Sequence, residues 1–60
     1  MLVFDWVDDE QCNIRWGDST IINVNHDEDG WNGMERIINS LKELADLNGI
    51  EWREKGDPNV

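Results

Sequence analysis

The chain has 60 residues and carries 14 Asp and Glu against five Lys and Arg, which gives a formal net charge of −9. This length allows one small domain, and this charge argues against binding to nucleic acid or to an anionic membrane. A single cysteine excludes an internal disulfide, and no stretch is apolar enough for a signal peptide or a membrane span, so we expect a cytoplasmic protein.

Alternation of apolar and polar residues predicts three strands, β1 over residues 2–7, β2 over 12–16 and β3 over 20–24. Three-residue connections would pair Trp6 with Cys12, Phe4 with Ile14, Ile14 with Ile22 and Trp16 with Thr20. A two-residue turn would suit Gly17 better, but it would move Ile22 and Val24 to the other face. We therefore expect the three-residue connections.

From Trp31 onward the apolar residues recur at spacings of three and four, which predicts an amphipathic helix with the stripe Trp31, Met34, Ile37, Ile38, Leu41, Leu44 and Ala45. Asn32 and Glu35 have the spacing of a capping box, so the helix is expected to begin within 29–33. Asn48-Gly49 is a typical C-terminal stop, with Ile50 packing back on Leu44 or Ala45.

Ile50 and Trp52 alternate with Glu51 and Arg53, which predicts a short fourth strand, followed by a flexible tail over 56–60. The predicted fold is therefore a single α+β domain over residues 1–55 with the order β-β-β-α-β. One helix covers a three-stranded antiparallel meander in two layers, and the fourth strand lies beside either β1 or β3.

Two acidic clusters, Asp8-Asp9-Glu10 and Asp27-Glu28-Asp29, follow β1 and β3. Because strand direction alternates in a meander, both connections lie at one end of the sheet, and we call these six carboxylates the acidic pole. Asp57 is a further candidate there. Glu35 and Glu43 extend the negative charge along the helix. Trp31 follows the second cluster and is either an aromatic anchor for a partner or the first core residue of the stripe.

Three other kinds of site have weaker support. The segment Asn25-x-Asp27-x-Asp29-Gly30 matches the start of an EF-hand calcium loop, but Arg36 stands where that loop needs a bidentate Glu. His26 beside Asp27 is a general-base candidate without a nucleophile. Cys12 alternates onto the core face and is expected to be a buried apolar residue rather than a reactive thiol. No catalytic site, metal site or cofactor is predicted.

By size, acidity and α/β pattern the chain resembles the small inhibitors that bacteriophages make against nucleic-acid-handling defence systems, such as anti-CRISPR and anti-restriction proteins. This resemblance carries no shared motif. It implies a non-enzymatic inhibitor that occupies the basic nucleic-acid-binding surface of a CRISPR effector, restriction enzyme or other nuclease in the bacterial cytoplasm. An immunity protein for a basic nuclease toxin is a close variant. The alternative is a small acidic interaction or structural module, monomeric or homodimeric, with a solvated negative surface.

Overall fold

A computed structural model describes residues 1–56 and has the predicted α+β order. The elements are β1 (Leu2–Asp8), β2 (Gln11–Trp16), β3 (Ser19–Asn25), α1 (His26–Leu47) and β4 (Trp52–Lys55). The predicted fold class and two-layer architecture are confirmed.

The four strands form one mixed sheet in the order β3-β2-β1-β4. The β1–β2 and β2–β3 pairs are antiparallel, and β4 pairs parallel to β1, with Leu2 opposite Trp52. The sequence left open where β4 lies, and the structure places it beside β1. A parallel neighbour needs a long crossover, and α1 supplies it by carrying the chain from one edge of the sheet to the other.

The register of β2 and β3 satisfies both the turn that Gly17 favours and the apolar alternation of the strands, which conflicted in the prediction from sequence. Ile14 lies opposite Ile22 as predicted, but Trp16 pairs with Ser19 rather than with Thr20. The connection is a two-residue turn, with Gly17 at φ 60°, and the extra residue is absorbed between the Ile14 and Arg15 pairs as a β-bulge. The predicted three-residue connection is therefore wrong, although Val24 still reaches the core.

The β1–β2 hairpin also combines a two-residue turn with a β-bulge. Trp6 pairs with Cys12 and Phe4 with Ile14 as predicted, while Asp8 pairs with Gln11 across another register shift. Only Asp9 and Glu10 remain in the turn, so Asp8 belongs to the strand. This bulge leaves Val7 as the extra residue, more than half exposed.

The core lies between α1 and one face of the sheet. Its eight buried residues are Leu2, Phe4, Cys12, Ile14, Val24, Met34, Ile38 and Ala45. Burial of a large apolar side chain contributes roughly 1.5–3 kcal/mol, so a core of this size supports a small domain with a modest stability margin. Two members of the helical stripe lie outside it, because Trp31 and Leu44 are each about half exposed. Trp31 is therefore not a core residue.

The helix begins earlier than predicted, at His26 rather than within 29–33. Asn25 is the N-cap residue, and its side-chain oxygen accepts a hydrogen bond from the backbone N–H of Glu28 at 2.8 Å. Asp29 makes the reciprocal hydrogen bond, in which its Oδ2 accepts from the backbone N–H of Asn25 at 3.1 Å. This reciprocal arrangement is a variant of the capping box that the sequence placed at Asn32 and Glu35.

Gly30 explains why the predicted start was late. Its φ of 71° and ψ of 169° are non-helical, so a kink separates the first turn from the rest of α1. The long apolar stripe begins only after this kink. The first turn, which contains Asp27, Glu28 and Asp29, has polar residues alone and gives no apolar periodicity to detect.

The C-terminal end of α1 follows the prediction. Ile50 N–H donates to the Ala45 carbonyl at 2.8 Å and Gly49 N–H donates to the Asp46 carbonyl at 3.3 Å, the two bonds of a Schellman motif. Gly49 has φ 67°. Within residues 1–56 no helix combines the length and apolarity needed to cross a membrane. Of the predicted tail over residues 56–60, only Gly56 is described, and residues 57–60, including Asp57, lie outside the described residues.

Candidate functional site

The structure brings the two acidic clusters together. The backbone N–H of His26 donates to the Glu10 carbonyl at 2.8 Å, which joins the start of α1 to the β1–β2 turn. A cleft of about 320 Å³ opens beside this bond and is lined by Asp8, Glu10, Gln11, Asn25, Asp27 and Glu28. Four of the six carboxylates of the acidic pole therefore share one concave surface.

The carboxylates of the acidic pole do not all have the same role. Asp8 Oδ1 accepts from the Glu10 N–H at 2.8 Å, which orders the turn, and the Asp29 carboxylate accepts from Asn25 at the cap. These two side chains are partly buried and support the backbone. The remaining four, Asp9, Glu10, Asp27 and Glu28, are exposed. The exposed group is the part of the acidic pole that is available to a partner.

A ladder of asparagines supports the rim of the cleft. Asn23 Nδ2 donates to Asn13 Oδ1 at 2.7 Å, and Asn25 Nδ2 donates to Asn23 Oδ1 at 3.0 Å. The ladder continues through Asn25 Oδ1 to the Glu28 N–H. Sequence reasoning missed it, although the i, i+2 spacing of Asn23 and Asn25 in one strand was a usable signal. The chain of bonds fixes the first turn of α1 to the sheet.

An apolar groove adjoins the acidic pole, and we call it the aromatic groove. It has a volume of about 200 Å³, and its lining includes Trp6, Trp31, Met34 and Ile38 together with Asp9 and Glu35. The Trp31 ring packs on the His26 ring with centroids 4.0 Å apart, and 51% of Trp31 remains exposed. The groove therefore combines a half-exposed indole with two exposed carboxylates, Asp9 and Glu35, and with the Lys42 ammonium.

The indole of Trp6 adds a polar feature to this region. Its Nε1 is buried and has no hydrogen-bond partner among residues 1–56. A buried unpaired N–H costs about 1–3 kcal/mol, so this residue is held in place by packing rather than by polar contacts.

Three of the five cations lie on the sheet face that α1 does not cover, whereas Lys42 lines the aromatic groove together with Asp9 and Glu35. Lys42, at one end of the aromatic groove, forms an ion pair with Glu54, and its Nζ lies 4.9 Å from the Trp52 ring centroid. Arg15, Arg53 and Lys55 line a cleft on the sheet face that α1 does not cover. Three of the five cations are thus collected on one face, which leaves the acidic pole less neutralised than the composition alone would indicate.

Two of the candidate residues on α1 differ in position. Glu35 lies one turn after Trp31 and lines the aromatic groove. Glu43 lies twelve residues after Trp31, about 18 Å along the helix axis, and is exposed. Glu43 therefore extends the negative surface but does not belong to the acidic pole.

The calcium-loop segment is not a loop in this structure. Residues 26–29 form the first turn of α1, and the oxygens of Asn25 and Asp29 are engaged in the cap. Within residues 1–56 no group of three His, Cys, Asp or Glu side chains is placed to hold a metal ion.

Cys12 is fully buried in the core, as predicted from its position in the alternation. Burial raises the pKa of its thiol to about 11, and the negative charges of Asp5 and Glu54 act in the same direction. The reactive thiolate is therefore scarce at neutral pH, and this geometry gives Cys12 a packing role. The His26 ring, the other candidate for chemistry, packs against the Trp31 ring at an interplanar angle of 36°.

Comparison of the chain with protein-family models, curated proteins and solved structures gives no match.

Proposed function

We propose that this protein is a non-enzymatic inhibitor that occupies a basic nucleic-acid-binding surface of a partner protein by charge mimicry. The partner would be a nuclease or another nucleic-acid-handling complex of the bacterial cytoplasm. The exposed carboxylates of the acidic pole take the place of phosphates, and Trp31 is the apolar anchor.

One observation carries the proposal, namely the fixed position of two acidic clusters beside a half-exposed tryptophan. The His26–Glu10 backbone bond holds the clusters together, and the cap at Asn25 orders the helical turn that bears three of the carboxylates. A charged surface that is already ordered loses little conformational entropy on binding, so more of its interaction energy appears as affinity.

The charge density is of the kind that competition with nucleic acid requires. Duplex DNA carries one charge per about 1.7 Å of helix axis, so a competitor must present several anions within a small area. Glu10, Asp27 and Glu28 line one cleft and Asp9 lines the adjoining groove. Such a surface accelerates association with a basic groove, and the complex weakens as salt screens the charges.

The aromatic groove supplies an apolar anchor for binding, which the charged residues of the acidic pole do not. Charge pairs at an interface rim favour encounter more than affinity, whereas a buried aromatic anchor contributes most of the binding energy. Trp31 has the exposed area for this role, and Asp9 and Glu35 at the same groove favour an arginine side chain of the partner stacking on the indole.

The test uses the heparin-binding fraction of a bacterial lysate, which is enriched in proteins with basic nucleic-acid-binding surfaces. Three immobilised proteins are compared: the wild type, the pole variant E10Q/D27N/E28Q and the control variant D18N/E43Q/E51Q. Each variant removes three exposed charges, so the two have the same net charge.

The proposal predicts that the wild type and the control variant retain a common nucleic-acid-binding protein that elutes late in a salt gradient, and that the pole variant does not retain it. Equal retention by all three proteins would mean that these carboxylates do not contribute to binding, and equal loss with both variants would mean that net charge alone determines it. Either result would contradict a specific interface at the acidic pole.

A further inference from the structure

Two asparagines of the chain are followed directly by glycine, in the pairs Asn32-Gly33 and Asn48-Gly49. An asparagine in this position can lose its side-chain amide when the backbone nitrogen of the next residue attacks it. Glycine has no Cβ, so its nitrogen is the least hindered one for this attack. The sequence does not distinguish the two pairs, but the structure does.

Asn32-Gly33 is protected from this reaction by its place inside α1. Both residues lie within the helical span His26–Leu47, and the next residue, Met34, is 3% exposed in the core. A Cβ at Gly33 would lie 3.3 Å from the Asp29 Cβ, so the space beside this peptide group is filled. A ring could form here only after the helix opens around a core residue, which costs much of the free energy of global unfolding.

Asn48-Gly49 lies at the end of α1 and is open to solvent. Residues 46–51 are all exposed. A Cβ at Gly49 would meet nothing within 4 Å, so there is room for a ring to form. The Gly49 N–H donates to the Asp46 carbonyl at 3.3 Å, a long hydrogen bond, so the attacking nitrogen is weakly held.

The side chain of Asn48 must leave one contact before it can react. Its Nδ2 donates to the Leu44 carbonyl at 2.7 Å, and the same carbonyl accepts from the Asn48 backbone N–H at 3.1 Å. Opening of this last turn breaks both bonds without exposing the core, because Leu44 itself is 54% exposed. Helix ends open at a small fraction of the global free energy of unfolding. The closed cap is therefore unreactive, and the reaction rate depends on its local opening.

We propose that Asn48 is a site of spontaneous deamidation. The Gly49 nitrogen loses its proton and bonds to Asn48 Cγ, the Cγ–Nδ2 bond breaks, and the amide nitrogen leaves with that proton as ammonia. Water then adds to one of the two carbonyl carbons of the resulting succinimide ring, which opens to aspartate or isoaspartate. The net change is hydrolysis of the amide, and water is the only co-reactant.

Both products weaken the connection between α1 and β4. A carboxylate at residue 48 cannot donate to the Leu44 carbonyl, and it adds negative charge at the negative end of the helix dipole. In isoaspartate the main chain also runs through the former side chain, so it is one atom longer before Gly49. The backbone bond from Leu2 to the Glu51 carbonyl lies just beyond and has to accommodate this change. We expect the modified protein to melt at a lower temperature.

Peptide mass spectrometry tests this inference on the purified full chain, kept folded at neutral pH and sampled over weeks. Tryptic peptides 16–36 and 43–53 contain Asn32 and Asn48 respectively, and fragmentation locates the converted residue within each. We expect Asn48 to convert at least about tenfold faster than Asn32, because only the cap opens locally. An isoaspartyl methyltransferase detects the isoaspartate product. In urea the two sites should convert at similar rates, which would show that the difference arises from the fold.

Two variants extend the test. G49N keeps a residue that suits the left-handed position but adds a side chain to the attacking residue, so it should slow conversion of Asn48 at least about tenfold in a folded protein. N48D represents one product, and N39D is its control, since it adds the same charge at another exposed position of α1. N48D should have the lower melting temperature of the two.

Three results would overturn the inference. The first is an unconverted Asn48 in the folded protein over the time in which the unfolded chain reacts. The second is conversion of Asn32 as fast as that of Asn48 in the folded protein, which would mean that the fold does not select the site. The third is equal melting of N48D and N39D, which would contradict the role of Asn48 in the cap. None of these results depends on the acidic pole or on the proposed function.

Discussion

The backbone N–H of His26 donates a 2.8 Å hydrogen bond to the carbonyl of Glu10 and thereby joins two acidic segments that are sixteen residues apart. Both partners are main-chain atoms, so the contact survives changes to either side chain. The acidic pole can therefore be altered chemically without dismantling the scaffold that holds it, which makes the proposed interface accessible to mutation.

Trp31 and Trp16 provide a matched pair of tryptophans in different parts of the surface, because they are 51% and 48% exposed. We expect W31A to weaken binding of the captured partner by at least about tenfold, as loss of an aromatic anchor does. W16A, which removes an equally exposed indole at the other end of the sheet, should leave that binding unchanged. Biolayer interferometry measures both variants. Equal effects of both variants on partner binding would contradict the role of Trp31.

Asn25 should contribute more to stability than Asn32. N25A removes the N-cap acceptor and one step of the asparagine ladder, and we expect a loss of about 1–2 kcal/mol in the free energy of unfolding. For a domain of this size each kcal/mol corresponds to about 4–8 °C in melting temperature. N32A replaces an exposed residue within the helix and should be neutral or slightly stabilising. Urea denaturation measures both, and a larger loss for N32A would place the cap where the sequence predicted it.

Gly30 should be less replaceable than Gly49, although both have positive φ. Gly49 occupies the left-handed position of a Schellman motif, which Asn adopts readily, so G49N should cost little. Gly30 combines φ 71° with ψ 169°, a region that is almost exclusive to glycine, and G30N should cost about 1–3 kcal/mol. A Cβ at Gly30 would meet nothing within 4 Å, so the cost arises from the backbone and not from a clash. Equal melting temperatures for the two variants would contradict this geometry.

The raised pKa of Cys12 predicts a loss of stability at alkaline pH. The folded-state pKa is about 11 and the ordinary value is 9.0, so the folded protein keeps a proton that the unfolded chain releases. The contribution is complete below about pH 9 and falls as pH rises toward 11. We expect the wild type to lose more stability over this interval than C12A does, even though C12A is less stable at pH 7 because of the cavity it leaves. Parallel pH profiles for the two proteins would contradict the assignment.

The sequence predicted the elements that have a clear period and missed those set by local polar bonds. The alternation around Phe4 and Ile14 determined the β1–β2 register, and the Asn48-Gly49 stop determined the end of α1. The start of α1 was wrong because a polar first turn followed by a kink at Gly30 leaves no apolar repeat. The predicted three-residue connection at Gly17 was wrong because a two-residue turn followed by a β-bulge satisfies both the turn preference of Gly17 and the hydrophobic register. Neither of these two signals by itself indicates a bulge.

The sequence was sufficient to predict where the carboxylates of the candidate site lie, but not which role each of them has. Strand alternation was sufficient to place Asp8–Glu10 and Asp27–Asp29 at one end. It did not distinguish Asp8 and Asp29, which bind backbone N–H groups, from Asp9, Glu10, Asp27 and Glu28, which are exposed. That distinction depends on side-chain hydrogen bonds across elements. It identifies Glu10, Asp27 and Glu28 as the residues to change first, because their side chains are not needed for the cap or the turn.

Competition for nucleic acid tests charge mimicry most directly. The partner captured from the heparin-binding fraction is loaded with a fluorescent nucleic acid, and the anisotropy is followed as this protein is added at low salt. Charge mimicry predicts that anisotropy falls to the value of the free nucleic acid with the wild type and with D18N/E43Q/E51Q, but not with E10Q/D27N/E28Q. A rise in anisotropy, which would indicate that protein, partner and nucleic acid bind together, would contradict charge mimicry.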